Sequence, residues 1–72
     1  MDRDRIRGDV AEILGVSPAE VPDDENLFEL GLDSIRFFTL VTRWREEGVE
    51  TRFFDLAGEA TVDAWARLVS ES

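Results

Sequence analysis

The chain has 72 residues and a net charge of −9, from 17 acidic side chains and 8 basic ones, and it has neither cysteine nor histidine. Residues 1–72 are therefore expected to form one small domain without disulfides or thiolate metal sites. The acidic balance argues against nucleic acid and anionic membranes as partners. Because no apolar run could span a bilayer or serve as a signal peptide, we expect a cytoplasmic protein, and we also expect a monomer.

The first predicted helix covers residues 3–14. Its apolar residues recur at i, i+4, i+7 and i+8, which is the spacing of a stripe that faces a core: Ile6, Val10, Ile13 and Leu14. Asp2 or Asp4 can cap its start, and Gly15 ends it. Asp9 and Glu12 lie off the stripe and are expected to be solvated.

Residues 15–33 are predicted to form a long loop with one short helical turn. Ser17-Pro18-Ala19-Glu20 has the form of a capping box with proline at the first helical position. The acidic run 22–25 is expected to be exposed, and it lacks the alternating spacing of a calcium loop, so no metal site is predicted. The loop's apolar residues should fasten it to the core: Leu27, Phe28 and Leu30.

Ser34 stands where this loop meets the next helix, and it is the candidate functional residue. Gly31 suits a turn that needs a positive φ, and both Asp33 and Ser34 are good N-cap residues. The start of a helix has unpaired N–H groups and a positive dipole, so a hydroxyl placed there suits a phosphate. Simple capping by Ser34 is the alternative explanation.

The second predicted helix, residues 34–47 followed by Gly48, has two apolar stripes. At about 100° per residue, one broad face holds the expected core residues: Phe37, Leu40, Val41 and Trp44. A second stripe, rotated by roughly a right angle, lies beside Ser34 and contains Ile35, Phe38 and Thr42. This second stripe has no obvious partner within the chain, so we predict that it is a docking face, although isolated apolar residues are also ordinary surface.

Residues 49–60 are predicted to be irregular, with a short helical turn around Phe53, Phe54, Leu56 and Ala57. Phe53 or Phe54, together with Ala57, would extend the docking face. We assign Phe53 and Ala57 to it, and we expect one of the two phenylalanines to be core. Val49 is expected to enter the core. Thr61 should cap a last helix over residues 62–71 that faces the core with Val62, Trp65, Leu68 and Val69. The chain is thus predicted to be an all-α, small antiparallel bundle of four helices, one of them short.

The run Gly-Leu-Asp-Ser-Ile at residues 31–35 resembles the attachment motif of the acyl and peptidyl carrier proteins. The resemblance extends from residues 24–30, through the helix after Ser34, to residues 60–65. It implies that Ser34 carries a covalent 4′-phosphopantetheine added by a phosphopantetheinyl transferase, and that Asp33 is a cap or part of the signal recognised by that enzyme. The further partners it implies are an adenylating enzyme and a condensation or other downstream synthesis enzyme.

The kind of carrier is indicated by the second helix. It has no acid between Ser34 and Arg45, whereas carriers of fatty acid synthesis have an acidic second helix. Residues 40–45 and 62–65 resemble the aryl carrier domains of nonribosomal siderophore synthesis, which hold 2,3-dihydroxybenzoate or salicylate as a thioester and are often fused to an isochorismatase. A peptidyl, aminoacyl or polyketide carrier is the alternative, and the chain can be free-standing or part of a larger synthase.

A serine hydrolase and an acidic adaptor are the alternatives from other classes of function. A serine hydrolase needs a base for Ser34, but the chain has no histidine or lysine and little volume for a substrate pocket. The chain is therefore predicted not to be an enzyme. An acidic adaptor without a prosthetic group, which binds a partner helix on its apolar stripe, is the second alternative.

Overall fold

The computed structural model describes residues 2–69, and four α-helices account for most of them. They are α1 (Arg3–Leu14), α2 (Ser34–Glu46), α3 (Phe53–Gly58) and α4 (Val62–Val69), with a 3₁₀ turn at Pro18–Glu20. Helix α1 packs against α2 and α4, and α3 packs against α4. The predicted all-α fold with one short helix is confirmed. No helix among residues 2–69 is long and apolar enough to cross a membrane.

The helix ends follow the local chemistry of the sequence. Asp2 begins α1 by accepting a hydrogen bond from the Arg5 N–H at 2.7 Å, and Gly15 ends it in the left-handed region at φ 75°. Helix α2 ends at Glu46, one residue earlier than predicted, because Glu47 is the C-cap ahead of Gly48. The last two predicted residues of α4 lie outside the described residues.

The core is built on two tryptophans that meet edge to face. The rings of Trp44 and Trp65 have centroids 5.9 Å apart and planes at 89°, and both side chains are fully buried. Each indole N–H has an acceptor: Asp9 Oδ2 at 2.8 Å for Trp44 and the carbonyl of Leu56 at 2.9 Å for Trp65. All four predicted core residues of α2 are buried, as are Ile6 and Val10 of α1, whereas Ile13, Leu14 and Leu68 are half-buried.

The prediction that Asp9 is solvated is wrong, whereas Glu12 is exposed as predicted but has a partner. Asp9 is half-buried, where it accepts from Trp44 and from Arg5 Nε at 3.2 Å, and Glu12 pairs with Arg43 of α2 at 2.7 Å. The periodicity of α1 alone could not show this, because the partners come from α2. Hydrogen bonding to Glu47, followed by the charge of Asp9, raises the pKa of Arg5 above its ordinary value.

The middle of the loop between α1 and α2 is fastened to α1 and α4. Arg7 of α1 donates to the carbonyl of Val21 at 3.1 Å and forms an ion pair with Asp23. The carbonyl of Asp23 accepts from the Asp63 N–H of α4 at 2.9 Å, so Asp23 is half-buried rather than exposed as predicted. The capping box is present, since the Ser17 N–H donates to the Glu20 carboxylate at 3.0 Å.

Candidate functional site

The last part of the loop carries the chain from the core to the exposed start of α2. Leu27 and Leu32 are buried, and the carbonyl of Leu27 accepts from the N–H groups of Leu30 and Leu32, both at 3.1 Å. Between them Gly31 adopts φ 122°, which a residue with a side chain rarely adopts. The Leu27 N–H also donates to the carbonyl of Ala60 at 2.8 Å, so the turn is held from both sides.

Asp33, rather than Ser34, is the N-cap of α2. Its Oδ1 accepts from the Arg36 N–H at 2.8 Å, and its carbonyl accepts the first helical bond from Phe37 at 2.8 Å. Ser34 is therefore the first helical residue. Its side chain is exposed, and its hydroxyl has no hydrogen-bond partner among residues 2–69. The Ser34 hydroxyl is therefore available for chemistry, whereas the hydroxyl of a capping serine would be occupied by a backbone N–H.

The surroundings of Ser34 fit a negatively charged phosphodiester. Because the Asp33 side chain satisfies only the amide of Arg36, the N–H groups of Ser34 and Ile35 have no acceptor within the described part of the chain. Helix α2 has 13 residues, so its dipole adds partial positive charge at this end. These features suit a phosphate ester on the Ser34 oxygen.

Two variants of Asp33 should distinguish its role as a helix cap from a role in recognition. Asp33→Asn keeps the capping oxygen, so its free energy of unfolding should lie within about 0.5 kcal/mol of that of the parent. Asp33→Ala should lower the free energy of unfolding by about 1 kcal/mol, and urea denaturation measures both values. If only the carboxylate charge matters to the modifying enzyme, both variants should be modified slowly. Equal modification rates for Asp33→Asn and the parent would limit Asp33 to capping.

The second stripe of α2 is exposed, as predicted from its angle. Ile35 is 79% exposed and Phe38 59% exposed, while Thr42 is half-buried. A shallow groove of about 300 Å³ runs along the helix and is lined by Phe38, Thr39, Thr42, Arg43 and Glu46. Apolar surface therefore lies beside Ser34 and continues along α2.

Helix α3 contributes a different phenylalanine from the one placed in the predicted docking face. The Phe53 ring packs on that of buried Phe37 with centroids 4.9 Å apart, and it also reaches the edge of Phe38 at 6.3 Å. Phe54 is 87% exposed, and Ala57 is exposed one turn later. Because Phe53 shares the inner side of the helix with buried Leu56, it is half-buried, and Phe54 is the aromatic that faces solvent. The sequence contained a signal for this arrangement, because Phe54 and Ala57 are three residues apart and so lie on the same face of a helix.

Comparison with known proteins gives a family match and several relatives. Residues 4–69 match the family described as "Phosphopantetheine attachment site". The chain is 42% identical over 67 residues to the "Isochorismatase" of Bacillus subtilis, covering 93% of this chain and 22% of that protein. It is 46% identical over 66 residues to the "Phenyloxazoline synthase MbtB" of a Mycobacterium species, covering 92% of this chain and 6% of that protein.

A third relative is similar to the chain over most of its own length. The "Acyl carrier protein ScoB" of Streptomyces coeruleorubidus is 45% identical over 67 residues, which cover 93% of this chain and 79% of that protein. The chain thus spans less than a quarter of the first two relatives and most of the third. No solved structure matches the chain significantly.

Proposed function

The chain belongs to the phosphopantetheine attachment family, and we propose that it carries an acyl group as a thioester on a 4′-phosphopantetheine arm bound to Ser34. The observation that supports Ser34 is its exposed hydroxyl, without a partner in residues 2–69, at the first position of α2. The arm supplies the thiol that a chain without cysteine lacks. Residues 1–72 would act as one carrier domain without catalytic activity of their own.

The attachment reaction requires only an accessible oxygen from this chain. The Ser34 oxygen forms a bond to the phosphorus next to pantetheine in coenzyme A, the pyrophosphate bond breaks, and 3′,5′-ADP leaves. A phosphopantetheinyl transferase takes the hydroxyl proton, because Ser34 has no base among the described residues. The free N–H groups of Ser34 and Ile35 then lie beside the charge of the phosphodiester.

We assign the carrier to nonribosomal peptide synthesis of the siderophore type, with an aryl acid as its cargo. The name of the phenyloxazoline synthase specifies a product with a phenyl ring, which supports an aryl group. The exposed, acid-free stretch of α2 supports a partner that docks on apolar surface. Similarity to an acyl carrier protein favours a second candidate, a polyketide or other acyl carrier.

Two measurements test this function in order. The purified chain is incubated with coenzyme A and a transferase, and its intact mass should rise by one phosphopantetheine. The modified chain is then offered to a panel of adenylating enzymes with aryl acids and amino acids, and loading with an aryl acid is expected. Modification followed by loading with amino acids alone would contradict the aryl assignment, and a chain that gains no mass would contradict the carrier function itself.

Phe38→Ala should separate docking from folding. The ring is 59% exposed, and its ring–ring contact is with the edge of Phe53, so its loss should cost about 1 kcal/mol or less in the free energy of unfolding. Exposed aromatic anchors can contribute about 2 kcal/mol to a small interface, so kcat/KM for acyl loading should fall by about tenfold or more. Phe37→Ala is the contrasting variant, since its side chain is buried and its loss should lower the melting temperature. Loading of Phe38→Ala at the parent rate would remove Phe38 from the interface.

A further inference from the structure

One arginine differs from the others because its side chain has no partner within residues 2–69, neither a carboxylate nor a hydroxyl. Six of the eight arginines form ion pairs within residues 2–69, and the carboxylates come from all parts of the fold. A seventh, Arg45, donates from Nε to the hydroxyl of Thr51 at 3.1 Å. The side chain of Arg36 has no hydrogen-bond or ion-pair partner in this part of the chain, and it is exposed.

The lack of a partner cannot result from a shortage of acids, because the chain has 17. The acid nearest to Arg36 in the helix is Asp33, whose Oδ1 is used by the backbone N–H of Arg36 as the helix cap. No acid follows until Glu46, at the far end of α2. The first three turns of the helix therefore present a positive charge that the rest of the molecule leaves unneutralised.

Arg36 also lies at the edge of the exposed apolar surface. It follows Ile35, which is 79% exposed, and it is two residues from Ser34. At about 100° per residue, Arg36 lies on the α1 side of Ile35, and Phe38 lies on the α3 side. An enzyme that approaches Ser34 along α2 would thus meet apolar side chains and, at one edge, a free guanidinium group.

We propose that Arg36 forms an ion pair with a carboxylate on the docking surface of the adenylating enzyme that loads this carrier, beside an apolar recess that receives Ile35 and Phe38. This inference rests on the proposed carrier function. The net charge of −9 attracts the carrier to basic surfaces in general. A single carboxylate opposite Arg36 would instead act locally, because it would favour one orientation of the docked carrier and one kind of partner. A partner with a basic docking patch would be repelled at this point.

The adenylating enzyme fits this carboxylate better than the transferase does. The transferase must bind coenzyme A, whose phosphates require positive charge around the site that Ser34 enters. The adenylating enzyme delivers its acyl group to the neutral thiol end of the arm, so acidic groups can flank its carrier-docking surface. Of these two enzymes, the adenylating enzyme is therefore the one whose docking surface can offer a carboxylate to Arg36.

The decisive variant is Arg36→Glu, which reverses the charge without harming the helix. Position 36 is in the first turn of α2, where glutamate is favoured by the dipole and by the capping box. Arg67→Glu is the matched control, since Arg67 is exposed on α4 and has only a loose ion pair with Glu59 at 3.4 Å. Both variants change the net charge equally. Each is first converted to the modified form and checked by intact mass and thermal melting.

The measurement is kcat/KM for loading by an adenylating enzyme that loads the parent chain, at low and high salt. Arg36→Glu should lower kcat/KM by about tenfold or more, mainly through KM, and the loss should shrink at high salt because the ion pair is screened. Arg67→Glu should load within about twofold of the parent. If kcat/KM falls equally in both variants, the effect is one of net charge and the proposal is overturned. An unchanged kcat/KM for Arg36→Glu would also overturn it.

A charge-reversed enzyme completes the test. Single aspartates and glutamates around the enzyme's carrier-docking surface are changed to arginine, and one such variant should load Arg36→Glu better than it loads the parent chain. If no reversal restores loading, the proposed ion pair is wrong. Failure of the underlying function gives a different result, since the parent chain itself would then gain no phosphopantetheine.

Discussion

We expect Ser34→Ala to accept no phosphopantetheine and to melt close to the temperature of the parent. The attachment reaction needs the serine oxygen, and no other group at the start of α2 can replace it. The side chain is exposed and Asp33 supplies the helix cap, so the loss of the hydroxyl should change the free energy of unfolding by about 0.5 kcal/mol or less. Intact mass after incubation with coenzyme A and a transferase gives the first result, and thermal melting gives the second.

Ser17→Ala is the matched control for this experiment. Ser17 is also exposed and also precedes a short helical segment, but that segment is a three-residue 3₁₀ turn without an apolar stripe beside it. It should be modified to completion. From the sequence we also predict that Ser70 and Ser72 are not modified, since neither stands in a motif like that of Ser34, and both lie outside the described residues. A Ser34→Ala chain that still gains the mass of the arm would overturn the assignment of the site.

Trp44→Ala should be largely unfolded at room temperature. The side chain is fully buried between α1 and α4, and truncation of a buried tryptophan costs about 3–5 kcal/mol. Asp9 would also lose its indole donor and keep only the contact from Arg5 Nε at 3.2 Å, which adds to the loss. A domain of this size has a free energy of unfolding of about 5 kcal/mol, so little stability would remain.

Urea denaturation followed by far-ultraviolet circular dichroism measures this loss. Trp44→Phe serves as the control, because it retains most of the buried ring and removes only the N–H donor to Asp9. Its loss should be clearly smaller than that of Trp44→Ala. If Trp44→Ala unfolds at the urea concentration of the parent, the assignment of the inner face of α2 is wrong.

The sequence predicted those features that depend on residues close together in the chain. The ends of α1, the cap of α4 by Thr61 and the inner face of α2 all follow from spacing and capping within about one or two turns. The position of Ser34 at the start of α2 was predictable for the same reason. A loop, a glycine and a cap in direct succession determine it locally.

Features that depend on two helices meeting could not be predicted in this way. The acceptor role of Asp9 requires Trp44, which is 35 residues away, and the burial of Asp23 requires Arg7 and Asp63. The choice between Phe53 and Phe54 depends on which side of α3 faces Phe37. The free guanidinium of Arg36 is likewise visible only once the partners of the other arginines are known.

The perpendicular tryptophan pair gives the protein an internal optical reporter. The chain has two tryptophans and no tyrosine, so its fluorescence excited at long wavelength comes only from Trp44 and Trp65. Both indoles are fully buried, and neither belongs to the surface around Ser34. Emission should therefore respond to unfolding of the helices and remain nearly unchanged when the arm is added, loaded or docked on an enzyme. The stability of the chain can thus be compared before and after modification without an added label.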